Sequence, residues 1–180
     1  MRVPSVTEVL SVYQDFSAVS PERLHAAANR GTEVHRVCAS IAKGLWWPYE
    51  IPEDQRGYVE SFERWISAAV AQVFLIEQRL ECRCHGYTGT PDLVVLIKGD
   101  TGPSVIDLKS PVTESPTWKG QLAAYAHLLE CIGNGPISRA GALMLSPKGK
   151  MAKLKEYRNS KEDFAAYLAA LTAFRYFKKG

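Results

Sequence analysis

The sequence lacks any apolar run approaching the roughly 18 residues that a membrane span requires, and its first residues do not have the form of a secretory leader. A cytoplasmic protein with no membrane partner is therefore expected. It also lacks a Gly-x4-Gly-Lys-Ser/Thr loop, which excludes ATP as an expected cofactor. Cysteine is scarce, with only Cys38, Cys82, Cys84 and Cys131. Cys82-Arg83-Cys84 has one intervening residue where a zinc knuckle has about two to four, and no second cysteine pair follows. The four are expected to be reduced, mostly buried thiols without a metal or a disulfide. There is no internal repeat, low-complexity stretch or linker. The net charge of +3 is too small to name a partner.

What is present supports one core. The 180 residues are 46% hydrophobic and 10% aromatic, enough for a single domain over 1–180. Charge is unevenly placed: from Lys148 onward nine basic residues face three acids, +6, which leaves −3 in residues 1–147. A basic tail is compatible with a polyanion, although such runs are more often a solvated face.

Periodicity divides the chain into a helical part (1–73), a sheet and helix (74–146) and a basic segment with a final helix (147–180). Through Val19 no period is clear. Ser20-Pro21-Glu22 starts a helix, Gly31 interrupts or ends it, and Thr32 can cap a second helix stopped by Gly44. Trp46-Trp47-Pro48-Tyr49 with Pro52 is a loop whose aromatics either cover the body or reach out to a ligand. Asp54 can cap a helix in which Val59, Phe62, Ile66, Val70 and Val73 make one apolar stripe. Strands are expected from Phe74 to Arg83, from Asp92 to Ile97 and from Val105 to Lys109, the last two paired as an antiparallel hairpin. After a loop bounded by Pro111 and Pro116, Thr117 can cap a helix to Cys131 closed by Gly133. Ile137–Leu145 is a fourth strand, returning parallel. A capping box at Ser160-Lys-Glu-Asp163 opens the last helix, whose apolar face is Phe164, Tyr167, Leu168, Leu171 and Phe174.

The hairpin concentrates charge. Asp107 and Lys109 share a face by strand alternation. If Ile97 lies opposite Ser104, Asp92 falls opposite Lys109 on that same face. Two carboxylates this close repel unless they share a proton, shift their pKa or bind a divalent cation. The plain alternative is a strand-end ion pair with Lys109.

Gly89-Thr90-Pro91-Asp92, Asp107-Leu108-Lys109 fifteen positions on, then Gln121 and Tyr125, resemble the PD-(D/E)XK nuclease superfamily, in particular its RecB-like and phage exonuclease branch. Gly31-Thr32-Glu33-Val34-His35 fits the Gly-Thr-x-x-His helix of that branch, and Glu77 stands fifteen residues before Asp92. The likeness runs from about Gly31 to Leu129.

It implies an α/β fold with a restriction-endonuclease-like core, a central mixed sheet of about four strands flanked by helices. It implies Mg2+ or Mn2+, one or two ions, held by Asp92, Asp107, the Leu108 carbonyl and His35, with Lys109 acting on the attacking water or the phosphate. Gln121 and Tyr125, four apart on one helix face, would line the site. His35 and Tyr125 also read as ordinary core residues. Glu77 reads as a water-mediated ligand or a salt-bridge residue, and Glu81 as a weaker substitute. Iron-sulfur members carry three cysteines after the core; here only Cys131 follows it, so no cluster is expected.

The implied activity is a metal-dependent DNA nuclease, an exonuclease on DNA ends in recombination, repair or phage DNA processing, in the host cytoplasm if phage-encoded. A structure-selective or site-specific endonuclease, and a non-cutting DNA-binding protein of the same fold, are the alternatives. Lys148, Lys150, Lys153, Lys155 and Arg158, with Lys178 and Lys179, would hold the DNA backbone. Phage members work beside strand-annealing proteins, and such cores also form dimers or rings.

Overall fold

The computed structural model describes residues 3–17, 19–110 and 114–178. Its centre is a five-stranded mixed sheet of β1 (Val70–Ile76), β4 (Leu93–Ile97), β5 (Ser104–Lys109), β6 (Arg139–Met144) and β7 (Lys153–Glu156), in the order β1-β4-β5-β6-β7. Only β5 and β6 run parallel, joined by the crossover helix α4 (Thr117–Cys131). The strands β2 (Leu80–Cys82) and β3 (Tyr87–Gly89) form a separate hairpin.

Alternation along the strands decides what each face of the sheet meets. Leu93, Val95, Ile106, Leu108 and Leu143 pack with Val34 and Cys38 of α2 (Pro21–Ala42) and Phe62 and Trp65 of α3 (Glu53–Ala69). Val94, Val105 and Ala142 point the other way, into Leu122, Leu128 and Leu129 of α4, with α1 (Val6–Ser11) and α5 (Ser160–Phe177) behind them. Both faces of β4 and β5 are thus buried, which is why β4 reads as an unbroken apolar run, Leu93-Val-Val-Leu-Ile97. Asp107 and Lys109 share the parity of Val105 and so face α4. Among the described residues no helix is long and apolar enough to cross a membrane.

The α/β architecture is the expected one, with five strands in the central sheet instead of about four. The extra strand is β7, a short edge strand whose Lys153-Leu-Lys-Glu156 alternation a basic composition disguises. α2 is a single 22-residue helix through Gly31: Thr32 Oγ1 bonds back to the Ala28 carbonyl at 3.0 Å and so caps nothing. Its start at Ser20 and the positive φ of Gly44, 68°, are as expected. α3 starts after Pro52, not at Asp54, and ends at Ala69. Val70 and Val73 therefore belong to β1, where a Val-Ala-Gln-Val-Phe-Leu-Ile run favours a strand over another helical turn. The expected Phe74–Arg83 strand is two strands, broken at Glu77 with φ 48°. The Ser160 capping box is not formed: Asn159 occupies the cap position, and Ser160 is already helical. Of the four free cysteines, Cys38 and Cys82 are buried as expected, whereas Cys84 and Cys131 are exposed, one in a turn and the other at the last position of α4. α1 and β3 have no counterpart among the expected elements. Pro111 of the expected loop lies outside the described residues.

The hairpin register differs from expectation by two residues. Leu93 pairs with Ile106 and Val95 with Ser104, so continuing the ladder places Asp92 across from Asp107, not Lys109. An even slip keeps every side chain on its face, and the convergence of the three charges survives it.

Candidate active site

β4 begins and β5 ends at the same edge of the sheet, and four further elements bring side chains there. His35 from α2, Gly89 and Thr90 after β3, Asp92, Asp107, Lys109, and Gln121 and Tyr125 of α4 line one cavity of about 350 Å³, closed by Ser5 and Thr7 at the start of α1. The sequence candidates His35, Asp92, Asp107, Lys109, Gln121 and Tyr125 therefore meet in one place.

Asp92 accepts a hydrogen bond from the Leu108 backbone N–H on Oδ2 at 2.6 Å, while its Oδ1 lies 3.4 Å from His35 Nδ1. Asp107 is 3% exposed. Its Oδ1 accepts from Gln121 Nε2 at 3.2 Å, and its Oδ2 forms an ion pair with Lys109. Lys109 Nζ donates to Gln121 Oε1 at 3.0 Å and sits 5.1 Å from the centre of the Trp118 ring. Gln121 Nε2 also donates to Tyr125 Oη at 3.3 Å. The amide of Gln121 thus holds the lysine with its oxygen and the carboxylate with its nitrogen, which fixes their separation.

The electrostatics follow from burial. Desolvation, then the charge of Asp92, push the Asp107 carboxyl up to about 6 despite Lys109 and His35. Burial lowers the pKa of His35, but the charge and hydrogen bond of Asp92, with Asp107 behind, outweigh it and leave the imidazole above its ordinary value. Burial also raises Tyr125, with Asp107 adding to it, so its phenol stays neutral. Two carboxylates therefore share a small cavity with two basic side chains as their only counter-charges among the described residues lining it. Oxygen donors with one imidazole suit a hard divalent cation such as Mg2+ or Mn2+. Among the described residues Asp107 Oδ2 has no partner beyond its ion pair with Lys109, so it has a lone pair to give one.

Other candidates lie elsewhere. Glu77 is exposed in the turn after β1, and its backbone N–H donates to the Asp92 carbonyl at 3.0 Å; it adjoins the site without lining the cavity. Glu81 is exposed on β2, paired with Thr88. Lys148, Lys150, Lys153, Lys155 and Arg158 are all exposed. Met144 pairs with both Lys109 and Lys153, and Leu145 N–H donates to the Lys109 carbonyl at 2.8 Å. The 146–150 turn and Lys153 consequently lie at the site's edge of the sheet. Lys155 and Arg158 run away from it, in ion pairs with Glu114 and Glu156 respectively. Lys179 is outside the described residues. Trp46 is 83% exposed, and Trp47 lies under the Arg36 guanidinium at 5.1 Å.

Sequence reasoning misses Ser5, Thr7 and Trp118. The first two sit on a helix too short to show a period. Trp118 has a signal, three residues before Gln121 on the same helix face.

No family model and no curated protein matches the sequence. Among solved structures the chain is similar to an alkaline exonuclease, LHK-Exo, from Laribacter hongkongensis, at 17% identity and a TM-score of 0.41, over 97% of this chain and 91% of that one. LHK-Exo in complex with dAMP is similar at 16% identity and the same TM-score of 0.41, over 98% and 91%. An overlap this slight assigns no fold family.

Proposed function

We propose that the chain is a metal-dependent DNA nuclease of PD-(D/E)XK type, a single domain over 1–180 that hydrolyses phosphodiesters at DNA ends. The observation that carries this reading is the meeting of Asp92, Asp107 and Lys109 in one cavity, with Gln121 bridging Asp107 and Lys109. A protein that only binds DNA gains nothing from two carboxylates facing a polyanion.

Asp92, Asp107, His35 and the Leu108 carbonyl would hold Mg2+ or Mn2+. Such an ion, when bound, polarises the scissile phosphate and lowers the pKa of a bound water. Lys109 Nζ, positioned by Gln121 Oε1, puts a positive charge where negative charge grows on the phosphoryl oxygens. Trp118 packs against the lysine's charged end and limits its reach. Tyr125 orients the amide of Gln121. The exposed lysines at the site's edge, Lys148, Lys150 and Lys153, would take the phosphate backbone, and Trp46 a displaced base.

The test incubates end-labelled linear DNA and covalently closed circles with the protein and Mg2+ or Mn2+, beside an Asp107→Ala variant. Loss of label from linear DNA alone, abolished in the variant, is the expected result. Nicked circles would make the enzyme an endonuclease. Unchanged DNA that is still bound in EDTA would make it a binding protein, and full activity in the variant would reject the site.

A further inference from the structure

A second cluster of donor atoms lies some way along α4 from the cavity, and its chemistry is the opposite of the first. Cys82 ends β2, Cys84 lies in the turn that follows, and His127 and Cys131 are four apart near the end of α4. One donor atom from each falls within 4.8 Å of all the others. Cys82 Sγ is 3.1 Å from Cys84 Sγ and 3.4 Å from Cys131 Sγ, and Cys84 Sγ is 3.9 Å from Cys131 Sγ. His127 Nδ1 is 3.8 Å from the Cys82 sulfur and 3.5 Å from that of Cys131.

These separations discriminate. A disulfide needs about 2.05 Å, which no pair approaches. Four ligands around one zinc, with Zn–S about 2.3 Å, stand about 3.8 Å apart along the edges of the tetrahedron. The observed edges bracket that value. A two-iron cluster spreads its ligands over two centres and needs them farther apart.

We propose that Cys82, Cys84, His127 and Cys131 hold a structural zinc ion that staples the β2–β3 hairpin to the end of α4. Three cysteines and one histidine are a closed zinc set, two donors coming from a hairpin and two from a helix at i and i+4.

The surroundings fix the donors in advance. Two cysteines one residue apart from a neighbour on a strand would share a face, but β2 stops at Cys82, so Cys84 reaches the cluster from a turn. Gly86 N–H donates to the Cys82 carbonyl at 2.7 Å and Gly86 has φ 66°, which folds the chain back and keeps the two sulfurs together. Arg175 of α5 donates to the His85 and Gly86 carbonyls at 2.7 and 2.5 Å, and so holds the turn closed. The His127 ring is stacked on Phe164 at 4.2 Å, which fixes the plane of the imidazole. Binding would release the thiol protons to solvent and leave three thiolates and one neutral imidazole on the ion.

The site stands independently of the nuclease reading, and its test keeps the two apart. Protein purified without chelator under reducing conditions is expected to carry about one zinc per chain by elemental analysis, unchanged in Asp107→Asn. Cys84→Ser and Cys131→Ser, at exposed positions, are expected to fall below about 0.2. Cobalt added to stripped wild-type protein should give the thiolate charge-transfer and d–d bands of a tetrahedral site, a reading that does not depend on the variants folding. Zinc-free protein with no cobalt bands, iron in place of zinc, or a disulfide among the three cysteines by mass spectrometry would each overturn the assignment.

Discussion

Replacing Asp107 by asparagine should make the metal-free protein more stable while destroying the activity proposed for it. The carboxyl is buried against Asp92, and its pKa lies at about 6 against an ordinary 3.8, so ionising it in the fold costs about 3 kcal/mol more than in the unfolded chain. The sign follows from proton counts. Below about pH 4 the group is protonated in both states and costs nothing. Between 3.8 and about 6 the unfolded chain loses its proton first, so stability falls as pH rises. Above about pH 6 the whole cost is present. The Asp107→Asn substitution would remove it, offset in part because the Asn amide has one acceptor oxygen where the carboxylate offers two, to Gln121 and to Lys109, leaving a net gain of about 1–2 kcal/mol at pH 8. For a chain this size that is a rise in melting temperature of roughly 2–8 °C. Thermal unfolding in EDTA at pH 4 and pH 8 measures it. A variant that melts below wild type at pH 8, or one that gains equally at both pH values, would refute the argument by which a cation is proposed for this site.

Four shorter predictions accompany it. Mn2+ at pH 8 should raise the melting temperature of wild type but not of Asp107→Asn, because the ion relieves the same repulsion that the substitution removes. Gln121→Leu should lower kcat on DNA by roughly 10–100-fold with little change in KM, since it frees Lys109 without altering its charge. Gly57→Ala should cost at least about 1–3 kcal/mol in urea unfolding, because a Cβ there would stand 1.9 Å from the Pro147 carbonyl oxygen. Lys148→Ala and Lys153→Ala should each flatten the salt dependence of DNA binding by about 0.9 in log–log slope, whereas Lys155→Ala, already paired with Glu114, should do less.

Much of the site is legible because strand parity is robust. Asp92, Asp107 and Lys109 share a face in any register that slips by an even number, so a misplaced pairing still gives the right cluster. His35 is reached through the Gly-Thr lead, and Gln121 with Tyr125 through helical spacing. What periodicity cannot show is contact between distant short elements. α1 has six residues, and β2 and β3 have three each, too few for any period. Ser5 and Thr7 at the cavity, and the pairing of β2 with β3, are invisible for that reason. The boundary between α3 and β1 fails differently: Ile66, Val70 and Val73 fit helical spacing, but the β-prone run from Val70 to Ile76 competes with the helix and wins. Cysteine spacing alone points away from a metal, and it overlooks the His127-x3-Cys131 pair, which offers helix-borne ligands.

The two donor clusters sort metals by softness, and α4 is the element that joins them. Gln121 and Tyr125 belong to its cavity-facing turns, while His127 and Cys131 lie near its end. Carboxylates and a carbonyl favour Mg2+ or Mn2+; thiolates favour zinc. With both sites filled as proposed, a small ion with oxygen preference would gain nothing at the cysteines, and zinc would be drawn away from the aspartates, where it would compete with the ion proposed for hydrolysis. The hairpin that ends at Gly89 leads straight into Thr90 and Asp92 at the cavity. A zinc ion fixing that hairpin to α4 would hold Asp92 and Gln121, which arrive from different elements, in a constant relation. Loss of zinc should thus loosen the geometry of the acidic site without removing any of its ligands, and kcat should fall on stripping and return with zinc even when Mg2+ is saturating throughout.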